Sequence, residues 1–370
     1  MDTIEELLKH VMSSGASDLL LTAGAPPQMR LNRRLKAITA NSLTPADTER
    51  LALSILNETQ AKQLRERRSI DLSRGFEGLS RFRFNIYYQR DSLAMAARCI
   101  PSSIPSFSAL GLPNIVRNFA LQPHGLFLVT GSAGSGKSTT LAAMIDYINE
   151  HRNAHVICLE DPIEYLHRHR NSIIDQREIF EDAHSFNEAL LSVFRQSPDV
   201  IMIGEMRDVE TVALALTLAE TGHLILATLH TQDTTNAITR IVDVFPPAQQ
   251  QQIYTQLSMV LTGVVSQTLI PTRDNSRCVL AYEVLNVNFA IRNLIRERQV
   301  HQVYSVIQTG RNDGMITMNE SLRSHVQSGS IDTQTAMERS PRPRELANLL
   351  GISYEQAQKT IGRAISGDPS

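Results

Sequence analysis

The chain of 370 residues is poor in cysteine, in charge of one sign and in long apolar runs. Its three cysteines, Cys99, Cys158 and Cys278, are far apart and form no CxxC pair, which excludes the spacing of a zinc module or a disulfide framework. Cys158 sits inside an apolar run and reads as a small core residue. The formal net charge is only −2, so no basic field is present to gather nucleic acid, and no nucleic-acid partner is expected. The short clusters Arg33, Arg34, Lys36 and Arg65, Arg67, Arg68 read as solvated faces. No stretch approaches the roughly 20 apolar residues that cross a bilayer. The first residues form an acidic amphipathic pattern, not a basic stretch followed by an apolar one, so no signal peptide is expected and the chain is assigned to the cytoplasm. What remains, 42% apolar and 20% charged, is ordinary globular composition, and the length suggests two domains.

What the chain does have is a glycine-rich loop in a telling context. Leu126 to Thr130 reads as a buried strand, and a small-residue helix follows Ser138. Between them lies Gly131-Ser132-Ala133-Gly134-Ser135-Gly136-Lys137-Ser138, the pattern GxxxxGKS between strand and helix. Glycines let a backbone wrap a phosphate without Cβ interference, and free N–H groups at a helix start make a positive cradle. Lys137 is expected to reach the β- and γ-phosphates and Ser138 to ligand Mg²⁺, with Thr139 closing the loop, so ATP and Mg²⁺ are the expected cofactors.

Ahead of the loop, Ile4, Leu7, Leu8, Val11 and Met12 follow helical spacing, closed by Gly15, and Ser17–Thr22 reads as a strand. A hairpin about Asn32-Arg33 is predicted. Thr44-Pro45-Ala46-Asp47 predicts a helix start, running to about Asn57, with a second helix ending near Arg68. Between Ser80 and Tyr88, Phe82, Phe84, Ile86 and Tyr88 share one face while Arg81, Arg83 and Asn85 share the other, and Leu93–Ile100 is a second strand. These mixed elements predict an α+β domain with an antiparallel sheet, followed by a linker about Pro101 and Pro105. From Leu112 onward, short apolar runs alternate with helices. Four of them, at 126–130, 156–159, 200–203 and 224–229, end in polar or glycine residues, as buried parallel strands do where α/β sheets place ligands. The remainder reads as helices at 249–262, 288–298, 301–308 and 317–326, with a strand pair about Arg273–Ser276. In a last segment after Pro343, Leu346, Leu349, Leu350 and Ile352 are positioned to pack on a partner, and Gly367–Ser370 is expected to be a disordered end.

Hydrolysis of a bound triphosphate needs a carboxylate near Mg²⁺ and another that orients or deprotonates water. Glu205 ends the run Val200–Ile203, and Glu164 follows the run at 156–159, with Glu160 and Asp161 close in sequence. A single such acid is most simply a helix cap, but two acidic strand ends downstream of a phosphate loop favour the catalytic reading. His230, at the end of the fourth run, suits a γ-phosphate sensor, since imidazole can change hydrogen-bond partners. Arg81, Arg83 and Arg98 could offset phosphate charge, a contribution of roughly 10³–10⁵ in rate in related chemistry.

GSAGSGKST, LEDPIEY, DVIMIGEMRD and TGHLILATLHT occur in that order and together resemble the Walker A, Asp box, Walker B and His box of secretion and type IV pilus ATPases. Ala290–Glu297, AIRNLIRE, is similar to the signature of pilus retraction ATPases of the PilT type, and Ala16–Asn32 is similar to their N-terminal domain. The resemblance spans about residues 1–340. It implies an α/β protein in which an N-terminal PAS-like α+β domain (1–100) is joined by a linker (101–111) to a RecA-like P-loop ATPase domain (112–285), with a helical C-terminal part (286–370). It implies catalytic Glu164, as general base, and Glu205, His230, Arg83 and Arg98. Nucleotide would be held by Gly131, Ser132, Ala133, Gly134, Ser135, Gly136, Lys137, Ser138 and Thr139, and the metal by Ser138 and Glu205. It further implies a homo-hexamer at the pilus base, peripheral to the inner membrane, acting on an inner-membrane platform protein, with a paralogous pilus ATPase as a further candidate partner. The expected function is an ATP-driven motor for pilus retraction and twitching motility, with residues 290–297 needed for retraction rather than hydrolysis. The loop has Ser132-Ala133 where the family usually has Pro-Thr, a change at positions that contribute mainly backbone. The tetracysteine module of extension and secretion members is missing, which favours retraction. Accessory PilU-type paralogues, or a regulatory subunit docking on another motor, are the alternatives. The acids Glu164 and Glu205 argue against a degenerate subunit.

Overall fold

The computed structural model describes residues 3–31, 34–101, 103–274 and 276–353. The turn at Asn32-Arg33 and the tail Gly367–Ser370 therefore lie outside the described residues. The chain divides into two compact units, one of Met1–Ser103 with Pro162–Leu166, the other of Ile104–Asp161 with His167–Ser370.

The first unit is built on strands β1 (Asp18–Leu21), β2 (Gln28–Leu31), β3 (Arg34–Ala37), β4 (Ser69–Gly75), β5 (Arg81–Gln89) and β6 (Ser92–Ile100). They form one sheet in the order β3-β2-β1-β6-β5-β4, every neighbouring pair antiparallel. Period-two alternation puts Leu19, Leu72, Phe82, Phe84 and Ile86 on one face, where they are buried with Leu7, Leu8 and Val11 of the helix Ile4–Ser13 and with Leu51 of the helix Pro45–Leu53. Thr44 and Asp47 close a reciprocal capping box on the second of these helices, with Pro45 in its first turn. That helix stops at Leu53, short of the expected Asn57, because Asn57 caps the next helix, Glu58–Arg67, through its own capping box with Gln60. Strand β4 has no counterpart among the predicted elements.

In the second unit, near-continuous apolar runs become strands β7 (Gly125–Thr130) and β8 (His155–Glu160). Strand β9 (Ile173–Glu178) follows, then β10 (Val200–Ile203), β11 (Leu224–Leu229), β12 (Leu261–Pro271) and β13 (Cys278–Asn286). The sheet order is β13-β12-β7-β11-β10-β8-β9, parallel throughout except for the antiparallel β12–β13 pair. Every residue of β7, β10 and β11 is buried, because helices cover both faces. Phe127, Val129, Cys158 and Met202 face one apolar layer with the helix Lys137–His151, whereas Leu126, Leu128, Leu159 and Ile203 face the other. All four predicted parallel strands are present and lie side by side.

The helix Pro247–Val260 ends sooner than the predicted 249–262, and β12 starts without a break at Leu261. The register shifts between Leu261 and Gly263 as the chain joins β7. A Cβ at Gly263 would lie 2.6 Å from the Phe119 ring, so glycine permits this close strand approach. Thr317 caps the helix Met318–Gln327 with Glu320. The terminal segment corrects an expectation. The helix Pro343–Leu350 buries Leu346 completely against Met318, Leu322, Ile331 and Met337 of its own chain, with Leu350 and Ile352 packed on the same cluster, so these three side chains are not a free partner surface, while Leu349 is half-buried outside that cluster. Among the described residues no helix is long and apolar enough to cross a membrane.

Candidate active site

The glycine loop leaves the carboxyl end of β7 and enters the helix Lys137–His151. Gly136 stands at the helix N-cap with φ 91° and supplies no side chain to that turn, as a phosphate cradle requires. Gly131, at φ 143°, could carry no side chain, because a Cβ would sit 2.3 Å from the carbonyl oxygen of Gln267 and 2.5 Å from Ser135 Oγ. Ser132, Ala133 and Gly134 are exposed at the loop tip, Ser135 and Lys137 are buried, and Ser138 and Thr139 are half-buried. The Lys137 ammonium donates to the carbonyl oxygens of Gly131 and Ser132, both at 3.0 Å, which holds it over the loop.

Two further loops end beside this one. Thr130 of β7 is in register with Leu229 of β11, so Gly131 and His230 leave adjacent strand ends. The next strand, β10, delivers Gly204 and Glu205. Thr228 Oγ1 donates to the Gly204 carbonyl at 2.5 Å, and the Gly204 amide donates to Leu159 of β8 at 2.8 Å, so the turn is stitched to both neighbours. A Cβ at Gly204 would be 3.2 Å from the Leu159 carbonyl oxygen. Glu205 Oε1 lies 3.2 Å from His230 Nε2, and Glu205 Oε2 lies 2.6 Å from Arg207 Nη2. Burial pushes the Glu205 carboxyl upward, but the Arg207 hydrogen bond and the charges of His230 and Arg207 outweigh it and hold it below the usual glutamate value. Glu205 is therefore a carboxylate at neutral pH, with His230 hydrogen-bonded to it.

Glu160 completes β8, buried, and accepts from Gln176 Nε2 at 3.0 Å, which makes it a packing partner of β9. Glu164 is exposed, and its segment Pro162–Leu166 groups with the N-terminal unit. Arg83 and Arg98 also belong to that unit, directly opposite each other on β5 and β6. Like charges so placed repel. Asp18, opposite Arg98 on β1, offsets this: its Oδ1 is 2.9 Å from Arg98 Nε, and its Oδ2 accepts from Ser17 Oγ at 2.7 Å. Burial raises the Asp18 pKa, but Ser17 and Arg98 outweigh it, and the net shift is downward. The structure thus gathers residues 131–139, Glu205 and His230 at the carboxyl ends of three adjacent strands, and Arg83 with Arg98 on another sheet.

Several residues of this region carry no sequence-level role. Arg207 lies within the GEMRD string and pairs with Glu205. Asp18 pins Arg98. Ser266 and Gln267 reach the loops from β12: Ser266 Oγ donates to the Gln232 carbonyl at 2.8 Å, Gln267 Nε2 donates to the Ser135 carbonyl at 2.8 Å, and Gln267 Oε1 accepts from Thr140 Oγ1 at 2.9 Å. Only an i,i+2 charge pair, Glu205 with Arg207, was open to detection in the sequence.

Residues 106–357 match the family model described as type II/IV secretion system protein. The type IV pilus retraction ATPase PilT of Pseudomonas aeruginosa is 43% identical over 340 residues, covering 92% of this chain and 98% of that protein. The type IV pilus ATPase PilU of the same organism is 38% identical over 351 residues, covering 95% and 92%. A crystal structure of the pilus retraction motor PilT with bound ADP superposes with a TM-score of 0.88 at 48% identity, covering 94% of this chain and 99% of that one.

Proposed function

The chain belongs to the type II/IV secretion system protein family, in its pilus-retraction ATPase branch, and from that membership we propose that it is the motor that drives type IV pilus retraction and twitching motility. It is an ATP-hydrolysing P-loop enzyme. The observation that carries the reading is the convergence of the Lys137 loop, Glu205 and His230 at the carboxyl ends of three adjacent strands.

On binding ATP, Lys137 exchanges the carbonyls of Gly131 and Ser132 for phosphate oxygens, and the uncapped start of its helix faces the phosphates. The Ser138 hydroxyl and the Glu205 carboxylate are hard oxygen donors and fit Mg²⁺, which takes few protein ligands and would neutralise charge on the transferred phosphoryl group. Arg207 keeps Glu205 ionised without occupying the His230 side. His230 can release Glu205 when a γ-phosphate offers an alternative partner. Glu164 is the proposed general base for the attacking water, and Arg83 and Arg98 are the proposed cations for developing phosphate charge. The working assembly is a homo-hexameric ring, cytoplasmic and peripheral to the inner membrane, turning a platform protein as its two domains move through the ATP cycle.

The 38% identity to PilU supports a second reading, an accessory retraction ATPase working beside a paralogue. The two are separated by complementation: expressed alone in cells lacking every other retraction ATPase, a principal motor restores twitching and an accessory one does not. The site assignment is tested by steady-state ATPase activity of Lys137→Ala. Turnover is expected to vanish, and retained turnover would overturn it.

A further inference from the structure

Strand β12 brings two consecutive polar residues, Ser266 and Gln267, into a core where both are almost wholly buried. Being adjacent on a strand, they point to opposite faces. Gln267 bridges the end of the phosphate loop and the helix it enters: its amide nitrogen donates to the Ser135 carbonyl, and its amide oxygen accepts from the hydroxyl of Thr140 in the first turn of the helix. One loop glycine is shaped to this contact: a Cβ at Gly136 would come within 3.2 Å of Gln267 Nε2, whereas one at Gly131 would strike the main-chain carbonyl oxygen of Gln267. Ser266 holds the other loop, donating to Gln232, two residues beyond His230. From β13, Glu283 accepts from the Thr234 amide at 3.0 Å and from its hydroxyl at 2.7 Å, fixing the next helix start.

We infer that Gln267 is a positioning residue for the phosphate loop and Ser266 a positioning residue for the histidine loop, so that one strand sets the spacing between the groups that hold the phosphates and the group that senses them. The inference rests on reading this site as the nucleotide site. Removing a buried amide that satisfies a loop carbonyl and a helix hydroxyl leaves both polar groups unpaired, and the loop then settles elsewhere. Neither residue touches the reacting atoms, so each acts through the loop it holds.

The two roles separate in one experiment on the full chain, with wild type, Gln267→Met and Ser266→Ala compared for affinity to a fluorescent ADP analogue, for KM and kcat with ATP, and for the rise in melting temperature caused by saturating ADP. Gln267→Met is expected to weaken ADP and raise KM by about tenfold, the loss typical of removing a supporting hydrogen-bond shell, and to shrink the ADP-induced rise. Ser266→Ala is expected to lower kcat with ADP affinity within about twofold of wild type, since the histidine loop and not the phosphate loop has moved. Thr140→Val removes one of the two Gln267 bonds from the helix side. It should give a smaller loss of ADP affinity of the same kind, which decides the matter if Gln267→Met does not fold. Equal loss of ADP affinity in the Gln267 and Ser266 variants would reduce both to strand stability and overturn the inference, as would wild-type affinity in Gln267→Met and Thr140→Val. Failure of the wild-type protein to bind ADP would instead sink the nucleotide-site reading itself.

Discussion

Arg292, the third residue of AIRNLIRE, is half-buried, and its Nη1 donates to the carbonyls of Ser258 at 3.2 Å and Met259 at 2.6 Å. Those are two of the last four carbonyls of the helix Pro247–Val260, which have no partner within the helix. The guanidinium is thus a C-terminal cap, favoured also by the negative end of the helix dipole. A hydrogen bond from a charged donor contributes about 1.5–3 kcal/mol and the dipole about 0.3–1 kcal/mol. Water can replace part of this at a half-open helix end, so Arg292→Ala should cost about 2 kcal/mol. At about 2–4 °C per kcal/mol for a unit of this size, the melting temperature should fall by about 4–8 °C. Arg292→Lys keeps the charge but not the forked donor and should recover about half of that. Arg296→Ala, exposed on the helix Phe289–Arg296 that also carries Arg292, should change stability by no more than about 0.5 kcal/mol. Because the capped helix runs straight into β12, ATP turnover should fall along with stability in Arg292→Ala. Thermal melts and ATPase assays of the three variants decide it. Equal melting of Arg292→Ala and Arg296→Ala would refute the capping argument and leave residues 290–297 the retraction role that the resemblance implies.

Leu346→Ala should destabilise by about 2–5 kcal/mol, because the side chain is fully buried among residues of its own chain; unchanged melting with lost retraction would restore the partner-surface reading. Gly131→Ala should abolish ADP binding by titration, since its Cβ meets the Gln267 carbonyl, whereas Gly134→Ala, with no neighbour within 4 Å and φ 75°, should cost only about 1–2 kcal/mol of backbone strain. The Glu205 pKa is depressed in the folded state, so its contribution is present above the ordinary value of 4.5 and is lost as pH falls through the lower folded value; Glu205→Gln should flatten that acid limb in melts across pH 3–6. For His155, burial lowers the pKa, but Asp175 at 2.9 Å and the Ser197 carbonyl outweigh it and raise the net value. Its contribution is complete below the ordinary 6.5 and fades as pH rises through the folded value, so His155→Gln should remove stability at pH 6 and much less at pH 8.5.

The strands that carry the phosphate loop, Glu205 and His230 were legible because a strand buried on both faces must be apolar along its whole length, and Leu126–Thr130, Val200–Ile203 and Leu224–Leu229 are. Edge strand β9 escaped notice for the converse reason: it carries Asp175, Gln176, Arg177 and Glu178, and even Ile173 is exposed. Strand β4 shows only Ile70 and Leu72 as apolar signals, too few to set a period. The boundary between the helix ending at Val260 and β12 has no breaker residue, so only the pairing with β7 fixes it. Ser266 and Gln267 look like polar interruptions of an apolar strand, and their partners lie 34 and more than 120 residues away. Asp18 likewise gains its meaning only from Arg98, which it meets across the β1–β6 pair. Motif strings pointed to the loops proposed to hold phosphate; the residues that hold those loops in place depend on long-range pairing.

The central claim, that hydrolysis at the Lys137 loop drives pilus retraction, is tested most directly by counting surface pili and scoring twitching in cells whose gene for this chain is deleted and then complemented with wild type or Lys137→Ala. The account predicts hyperpiliated, non-motile cells on deletion, rescue by wild type and no rescue by Lys137→Ala. Bald cells on deletion, or full rescue by Lys137→Ala, would contradict it.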